Sequence, residues 1–177
     1  MMLDFFKIVA NLKNVSRQGW IDKLSLSDPE SVADHSYSMA IMSMVISDLE
    51  NHDSEKILKM AMLHDLAESK TGDIIPDQIP REKKTALENK AFSEIVEHLP
   101  DAIKFQYLEI WDEYQENSSP ESKIVHQIDR LEMALQARLY QKEGHPKEKL
   151  NSFFESAKKD IVHPKLKELF MQVMSDK

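Results

Sequence analysis

The sequence predicts an all-α protein, and three of its features support that fold class. Gly is scarce, with 3 residues among 177, and the helix-favouring residues Leu, Met, Ala, Glu and Lys outnumber the β-branched ones. Apolar residues recur at alternating spacings of three and four, as on one face of a helix. Asp, Ser or Pro precedes several of these segments, as expected at helix N-termini.

Length and charge restrict the organisation and the partners. A chain of 177 residues fits a single domain, spanning 1–177. We expect its core at about 30–142, with an N-terminal helix and two C-terminal helices packed on it. The net charge of −8, with acidic residues spread along the chain, argues against a nucleic-acid partner. No apolar run is long enough for a signal or membrane segment, so we expect a cytoplasmic protein without a membrane partner.

The first two helices follow from their apolar spacing and their caps. Residues 2–14 predict a short amphipathic helix, and the segment NVSRQGW then breaks the pattern. Asp28 and Pro29 predict the N-cap and first position of a second helix, which runs to about Glu50. Its apolar stripe comprises Val32, His35, Met39, Met42, Ile46 and Leu49.

A third helix is predicted at about 55–70, capped by Asp53 and Ser54. Apolar residues surround its whole circumference, which indicates a position in the middle of the domain. The segment TGDIIPDQIP follows as a loop, punctuated by Gly72, Pro76 and Pro80.

The second half of the chain predicts five more helices, at 81–98, 101–117, 120–143, 147–160 and 164–175. Pro120 starts the longest of them and Gly144 ends it. Its main stripe comprises Ile124, Ile128, Leu131, Leu135 and Leu139.

Polar residues occupy apolar positions in three of these helices. His35 lies on the stripe of the second helix, the pair His64-Asp65 lies inside KMAMLHDLAES, and Asp129 lies beside the stripe of the helix 120–143. Such groups cost free energy in a core unless they are satisfied. A divalent metal would satisfy all of them, and the absence of Cys restricts its ligands to nitrogen and oxygen. Two imidazoles and two carboxylates suit Mn, Fe, Co, Ni or Zn better than Ca or Mg.

A metal of this kind activates water as a nucleophile, and Glu68, one turn after His64, could take or give the proton. Each residue has a simpler alternative. A lone buried His is usually a hydrogen-bonded core residue, and Asp129 could pair with a neighbouring cation. His126, one turn before Asp129, stays an open candidate for the site.

The pattern H…HD…D resembles the HD superfamily of metal-dependent phosphohydrolases. The segments ESVADHSY, LHDLAES, TGDIIP and QIDRLEM, in that order, are similar to the HD-domain 5′-deoxynucleotidases, both eukaryotic-type and bacterial YfbR-like. RQGW and EIWDEYQENSSPESKIVHQID are similar to the eukaryotic type. The similarity extends from Leu12 to about Val173.

The resemblance implies an HD-domain helical bundle with a metal site between three inward-facing helices, and a homodimer. It implies that Glu68 is the catalytic acid or base and that Asp73 is a catalytic residue near the scissile phosphate. Arg17 would contact the nucleotide phosphate, for which a guanidinium fork is well suited. The implied metal ligands are His35, His64, Asp65 and Asp129.

Two positions depart from the pattern. In bacterial members a Trp follows the Arg directly and helps to exclude ribonucleotides, whereas here Gln18 follows and Trp20 comes three residues after Arg17. Trp20 could pack against the sugar, or it could be a hydrophobic plug between a loop and a helix. His126 stands where relatives often carry Lys.

The sequence therefore predicts a metal-dependent phosphomonoesterase that hydrolyses 2′-deoxyribonucleoside 5′-monophosphates to deoxynucleoside and phosphate. One alternative is the same scaffold acting on a nucleotide diphosphate, triphosphate or alarmone. The other is a non-catalytic helical binding module, in which the histidines and aspartates satisfy one another.

Overall fold

A computed structural model describes residues 1–75 and 78–176 of the chain. This part of the chain contains α-helices and no β-strand, so the predicted all-α fold class is confirmed. The helices are α1 (Met2–Asn11), α2 (Gln18–Leu24), α3 (Val32–Glu50), α4 (Ser54–Leu63), α5 (Glu68–Thr71), α6 (Arg81–Val96), α7 (Asp101–Glu116), α8 (Pro120–Lys142), α9 (Lys147–Asp160) and α10 (Pro164–Ser175). A short 3-10 helix, Leu12–Asn14, extends α1.

The prediction for the start of α3 is wrong, because Ser31 and not Asp28 is its N-cap. The Ser31 side chain accepts the Asp34 backbone N–H, and the Asp34 carboxylate accepts the Ser31 N–H, which completes a capping box. Residues 28–31 are not helical, and Ser16 and Ser31 form an antiparallel bridge. The segment NVSRQGW, predicted as irregular, also contains the start of α2.

The prediction of a continuous helix over 55–70 is also wrong. Asp53 caps it as expected, but α4 ends at Leu63 and a turn over 64–67 separates it from α5. Four N–H groups near this turn, those of Leu66, Glu68, Ser69 and Lys70, donate to the carbonyl three residues earlier, which is the tighter 3-10 pattern. His64-Asp65 therefore lies at a helix end. Pro76 and Asp77 of the predicted loop lie outside the described residues.

The core forms around α3, α4 and α8. Helix α3 packs against α4 and α8, and α9 and α10 pack on α8. One cluster of buried apolar side chains extends from Phe5 in α1 to Phe170 in α10. This cluster supports the predicted single domain, which stays a prediction. Two residues of the predicted stripes lie outside the core, because Leu49 is 64% exposed and Leu139 is 42% exposed.

None of the helices described here is both long enough and apolar enough to cross a membrane.

Candidate metal centre

The four predicted ligands come together where α3, α4 and α8 meet. His35 Nε2 lies 3.3 Å from Asp129 Oδ1 and 3.8 Å from Asp65 Oδ2. His64 Nε2 lies 3.1 Å from the same Asp65 oxygen. Ligand atoms of His35, His64 and Asp129 all lie within 4.8 Å of one another. Residues separated by almost a hundred positions in the sequence thus form one compact cluster.

The other ring nitrogen of each imidazole has a hydrogen-bond partner. His35 Nδ1 lies 2.6 Å from Glu132 Oε2, and His64 Nδ1 lies 2.7 Å from the Ala61 carbonyl oxygen. Both partners are acceptors, so Nδ1 carries the proton on each ring when the ring is neutral. Each Nε2 atom then presents a lone pair toward the other three ligands.

The cluster fits a metal ion, because the two Nε2 atoms are buried and have no hydrogen-bond partner among the described residues. The carboxylates of Asp65 and Asp129 lie nearby but do not bond these two Nε2 atoms with hydrogen-bond geometry. Two ligands that are each about 2.1 Å from one ion lie about 3.0 Å apart at a right angle and about 3.4 Å apart at a tetrahedral angle. The separations of 3.1, 3.3 and 3.8 Å are of this size. The binding-module alternative requires the histidines and aspartates to hydrogen-bond one another. This geometry does not match that requirement.

The carboxylates of the centre are strongly biased toward the charged form. Burial opposes ionisation of Asp65, but His64 and Arg17 outweigh it and hold the Asp65 pKa well below its usual range. The pKa of Asp129 is lowered in the same way by His35. For His35, burial and Arg17 lower the pKa, but the carboxylates of Asp129 and Glu132 prevail and raise it to about 10. A metal ion binds the deprotonated Nε2 atom of an imidazole, so metal affinity should increase with pH.

Arg17 lies at the edge of the cluster. Its Nη1 atom is 3.4 Å from Asp65 Oδ2, and 13% of its side chain is exposed. The backbone around Arg17 is held by two hydrogen bonds, from Arg17 N–H to the Glu30 carbonyl and from Val32 N–H to the Val15 carbonyl. These bonds tie the segment before α2 to the start of α3.

Two acidic residues lie near Arg17. Glu68 is 3% exposed, and burial, followed by the charges of Asp65 and Asp73, raises its pKa well above the usual value. The Asp73 Oδ2 atom accepts the backbone N–H of Gln18 at 2.8 Å, so this carboxylate caps the first turn of α2 directly beside Arg17.

Trp20 and His126 are placed by the core and not by the ligand cluster. Trp20 is 1% exposed, donates its indole N–H to Glu30 at 2.8 Å, and packs on Tyr140 and Phe153. These contacts match the predicted plug, and contact with the sugar stays a prediction. His126 Nε2 lies 2.9 Å from the Tyr114 carbonyl, and burial lowers its pKa.

Two carboxylates behind His35, those of Glu30 and Glu132, were not predicted from the sequence. Glu132 is 3% exposed, and burial, followed by the charge of Glu132, raises the pKa of Glu30 to about 7. A signal for Glu132 was present, because it lies four residues after Ile128 and three before Leu135, in line with the apolar stripe of α8.

A family model described as HD domain matches residues 9–169 of the chain. The chain belongs to the HD-domain family. Among its relatives, the human protein named 5′-deoxynucleotidase HDDC2 is 37% identical over 177 residues, covering 99% of this chain and 86% of that protein. The Dictyostelium discoideum protein of the same name is 40% identical over 186 aligned residues, covering 99% of this chain and 97% of that protein.

Solved structures share this HD-domain fold. The PH0347 protein from Pyrococcus horikoshii OT3 is 33% identical with a TM-score of 0.80, and the match covers 97% of both chains. The HD domain-containing protein YGK1 is 25% identical with a TM-score of 0.72, covering 98% of this chain and 84% of that one.

Proposed function

We propose that this HD-domain protein is a metal-dependent 5′-deoxynucleotidase, which hydrolyses 2′-deoxyribonucleoside 5′-monophosphates to deoxynucleoside and inorganic phosphate. The observation that carries the proposal is the convergence, beside a guanidinium group, of two carboxylates and two Nε2 atoms that have no hydrogen-bond partner in the described part of the chain. The relatives named 5′-deoxynucleotidase align with this chain over 99% of its length and support the choice of substrate.

The proposed ligands are His35, His64, Asp65 and Asp129. When bound there, a divalent metal supplies positive charge for the phosphate and acidity for a coordinated water molecule. Mn, Co, Fe, Ni and Zn all suit this set of ligands, and the proposal covers one ion of this group.

The remaining steps belong to side chains of the protein. Arg17 binds the phosphate and neutralises part of its charge through its guanidinium fork. Glu68 gives a proton to the departing 5′-oxygen, a role that its raised pKa favours because the carboxyl group keeps its proton to a higher pH. Asp73 holds the first turn of α2 through Gln18, and it would orient Arg17 relative to the phosphate in addition to its implied catalytic role.

The experiment is phosphate release from dAMP, dTMP, AMP and dATP by protein loaded with Mn²⁺ or Co²⁺. We expect turnover of the two deoxynucleoside monophosphates. Asp129→Ala should abolish both metal binding and turnover, because it removes an ionised ligand. No release from any monophosphate would contradict the proposal, and release from dATP alone would favour a triphosphate substrate. Full activity in Asp129→Ala would overturn the ligand assignment.

The resemblance also implies a homodimer, and we include one in the proposal. A groove of about 680 Å³ supports it, lined mainly by apolar residues of α3, α8 and α10. The cytoplasmic location and the absence of a nucleic-acid partner stay predictions from the sequence.

A further inference from the structure

A buried carboxylate lies directly behind the candidate metal centre. Glu132 Oε2 is 2.6 Å from His35 Nδ1, on the side of the ring opposite Nε2. Glu132 is 3% exposed and lies on α8, three residues after Asp129. Helix α8 therefore supplies both a ligand and the group behind another ligand.

We propose that Glu132 is a positioning residue for the metal centre. It accepts a hydrogen bond from the Nδ1–H group of His35, directs the Nε2 atom to the metal and makes Nε2 a stronger metal ligand. The inference rests on the proposed function in one respect, since it requires that the centre binds a metal. A carboxylate that accepts the distal proton of a ligating imidazole fixes its tautomer and raises its basicity.

The two imidazoles of the centre have different acceptors. His64 Nδ1 bonds the neutral carbonyl of Ala61, which belongs to the same helix. His35 Nδ1 bonds a carboxylate from a different helix, 97 residues away. A charged acceptor forms the stronger hydrogen bond. His35 is therefore the ligand whose donor strength and orientation depend most on a second side chain.

The distances around Glu132 argue against a second metal site formed by Glu132 and its neighbours. Glu30, His35 and Glu132 bring one ligand-type atom each within 4.8 Å of one another, which resembles a second metal site. The distance of 2.6 Å between His35 Nδ1 and Glu132 Oε2 is shorter than the separation of about 3.0 Å expected for neighbouring ligands of one ion. The gap fits a shared proton. Glu30 in turn accepts the indole N–H of Trp20 at 2.8 Å.

The test compares wild-type protein with Glu132→Gln, which keeps the size and an oxygen acceptor but removes the charge. The metal-free protein is titrated with Co²⁺ against a competing chelator, and the visible absorption of bound Co²⁺ is recorded. We expect Co²⁺ affinity to fall by about 10- to 100-fold and the absorption band to shift. Affinity within about twofold of wild type with an unchanged band would overturn the inference.

Glu121→Gln is the matched control, because it removes another carboxylate of α8, one that faces Lys56 at 3.8 Å. It should leave both Co²⁺ readouts unchanged, and circular dichroism reports folding in every variant. If Glu132→Gln does not fold, Glu132→Asp keeps the charge but shortens its reach, and unchanged Co²⁺ binding there would equally overturn the inference. Absence of Co²⁺ binding in wild type would refute the metal centre itself, whereas binding unaffected by Glu132 would refute only this inference.

Discussion

The carboxyl group of Glu68 has the properties of a buried acid. Its Oε2 atom has no hydrogen-bond partner among residues 1–75 and 78–176, and burial with the charges of Asp65 and Asp73 raises its pKa. A carboxyl group whose pKa is raised keeps its proton to a higher pH. If Glu68 is the proton donor, activity is present while it is protonated and is lost as the pH rises through its pKa.

Glu68→Gln should lower kcat by about 10²- to 10⁴-fold, the usual contribution of a general acid. The side chain keeps its size and stays neutral, so we expect little change in KM and in metal content. The residual activity should lack the decline on the alkaline side. The measurement is kcat and KM for dAMP from pH 5 to 10, with metal content determined in parallel.

Glu113→Gln serves as the control for Glu68→Gln. It removes a carboxylate of α7 that forms an ion pair with Lys56 at 2.6 Å. Its pH profile should match that of wild type. A Glu68→Gln variant with kcat near wild type would assign proton transfer to another group.

Among the helices, the sequence predicts the first and last residues well where the signals for them lie close by in the chain. The bounds of α9 and α10 agree with the prediction, and Pro120 starts α8 with a cap from the preceding Ser119. The start of α3 could not be predicted, because Asp28 and Pro29 carry a suitable N-cap pattern. The hydrogen bond from Arg17 N–H to the Glu30 carbonyl and the bridge between Ser16 and Ser31 instead hold this segment outside the helix.

In the candidate site, too, features with a local signal in the sequence could be predicted and features set by long-range contacts could not. His35, His64 and Asp129 could be predicted because each is a polar residue within an apolar pattern. Glu132 was missed because α8 carries many charged residues, and only the packing of α3 against α8 places this one beside His35. Long-range packing decides which charged residues of a helix are buried, and spacing along the chain gives only a weak signal for it.

The two capping boxes offer a prediction at this scale. Ser31→Ala and Ser119→Ala each remove an N-cap that accepts a backbone N–H, so each should lower the free energy of unfolding by about 1 kcal/mol. Only Ser31→Ala should also weaken Co²⁺ binding, because His35 lies in the turn that Ser31 caps. Urea unfolding and Co²⁺ titration measure the two effects. Equal Co²⁺ affinities in the two variants would show that the cap does not position His35.

At the scale of the whole molecule, one face is more apolar than the folded monomer requires. Helix α3 exposes a row of apolar side chains along its outer face, comprising Tyr37, Ile41, Met44, Val45 and Leu49. Part of this row continues into the groove between α3, α8 and α10. A contiguous exposed apolar surface marks an interaction site, and the homodimer proposed above would cover it with a second copy of the same face.

Val45→Glu tests this arrangement, because Val45 lines the groove and is 48% exposed. Wild type should have twice the chain mass of 20.5 kDa by light scattering after gel filtration. A carboxylate in an apolar interface costs about 3 kcal/mol, which raises the dimer Kd by about a hundredfold, so the variant should be monomeric at micromolar concentration. Phe105→Glu, at a 59% exposed position on α7, should leave the mass unchanged. If Val45→Glu is folded and still dimeric, the copies meet through a different face, and a monomeric wild type would rule out the homodimer.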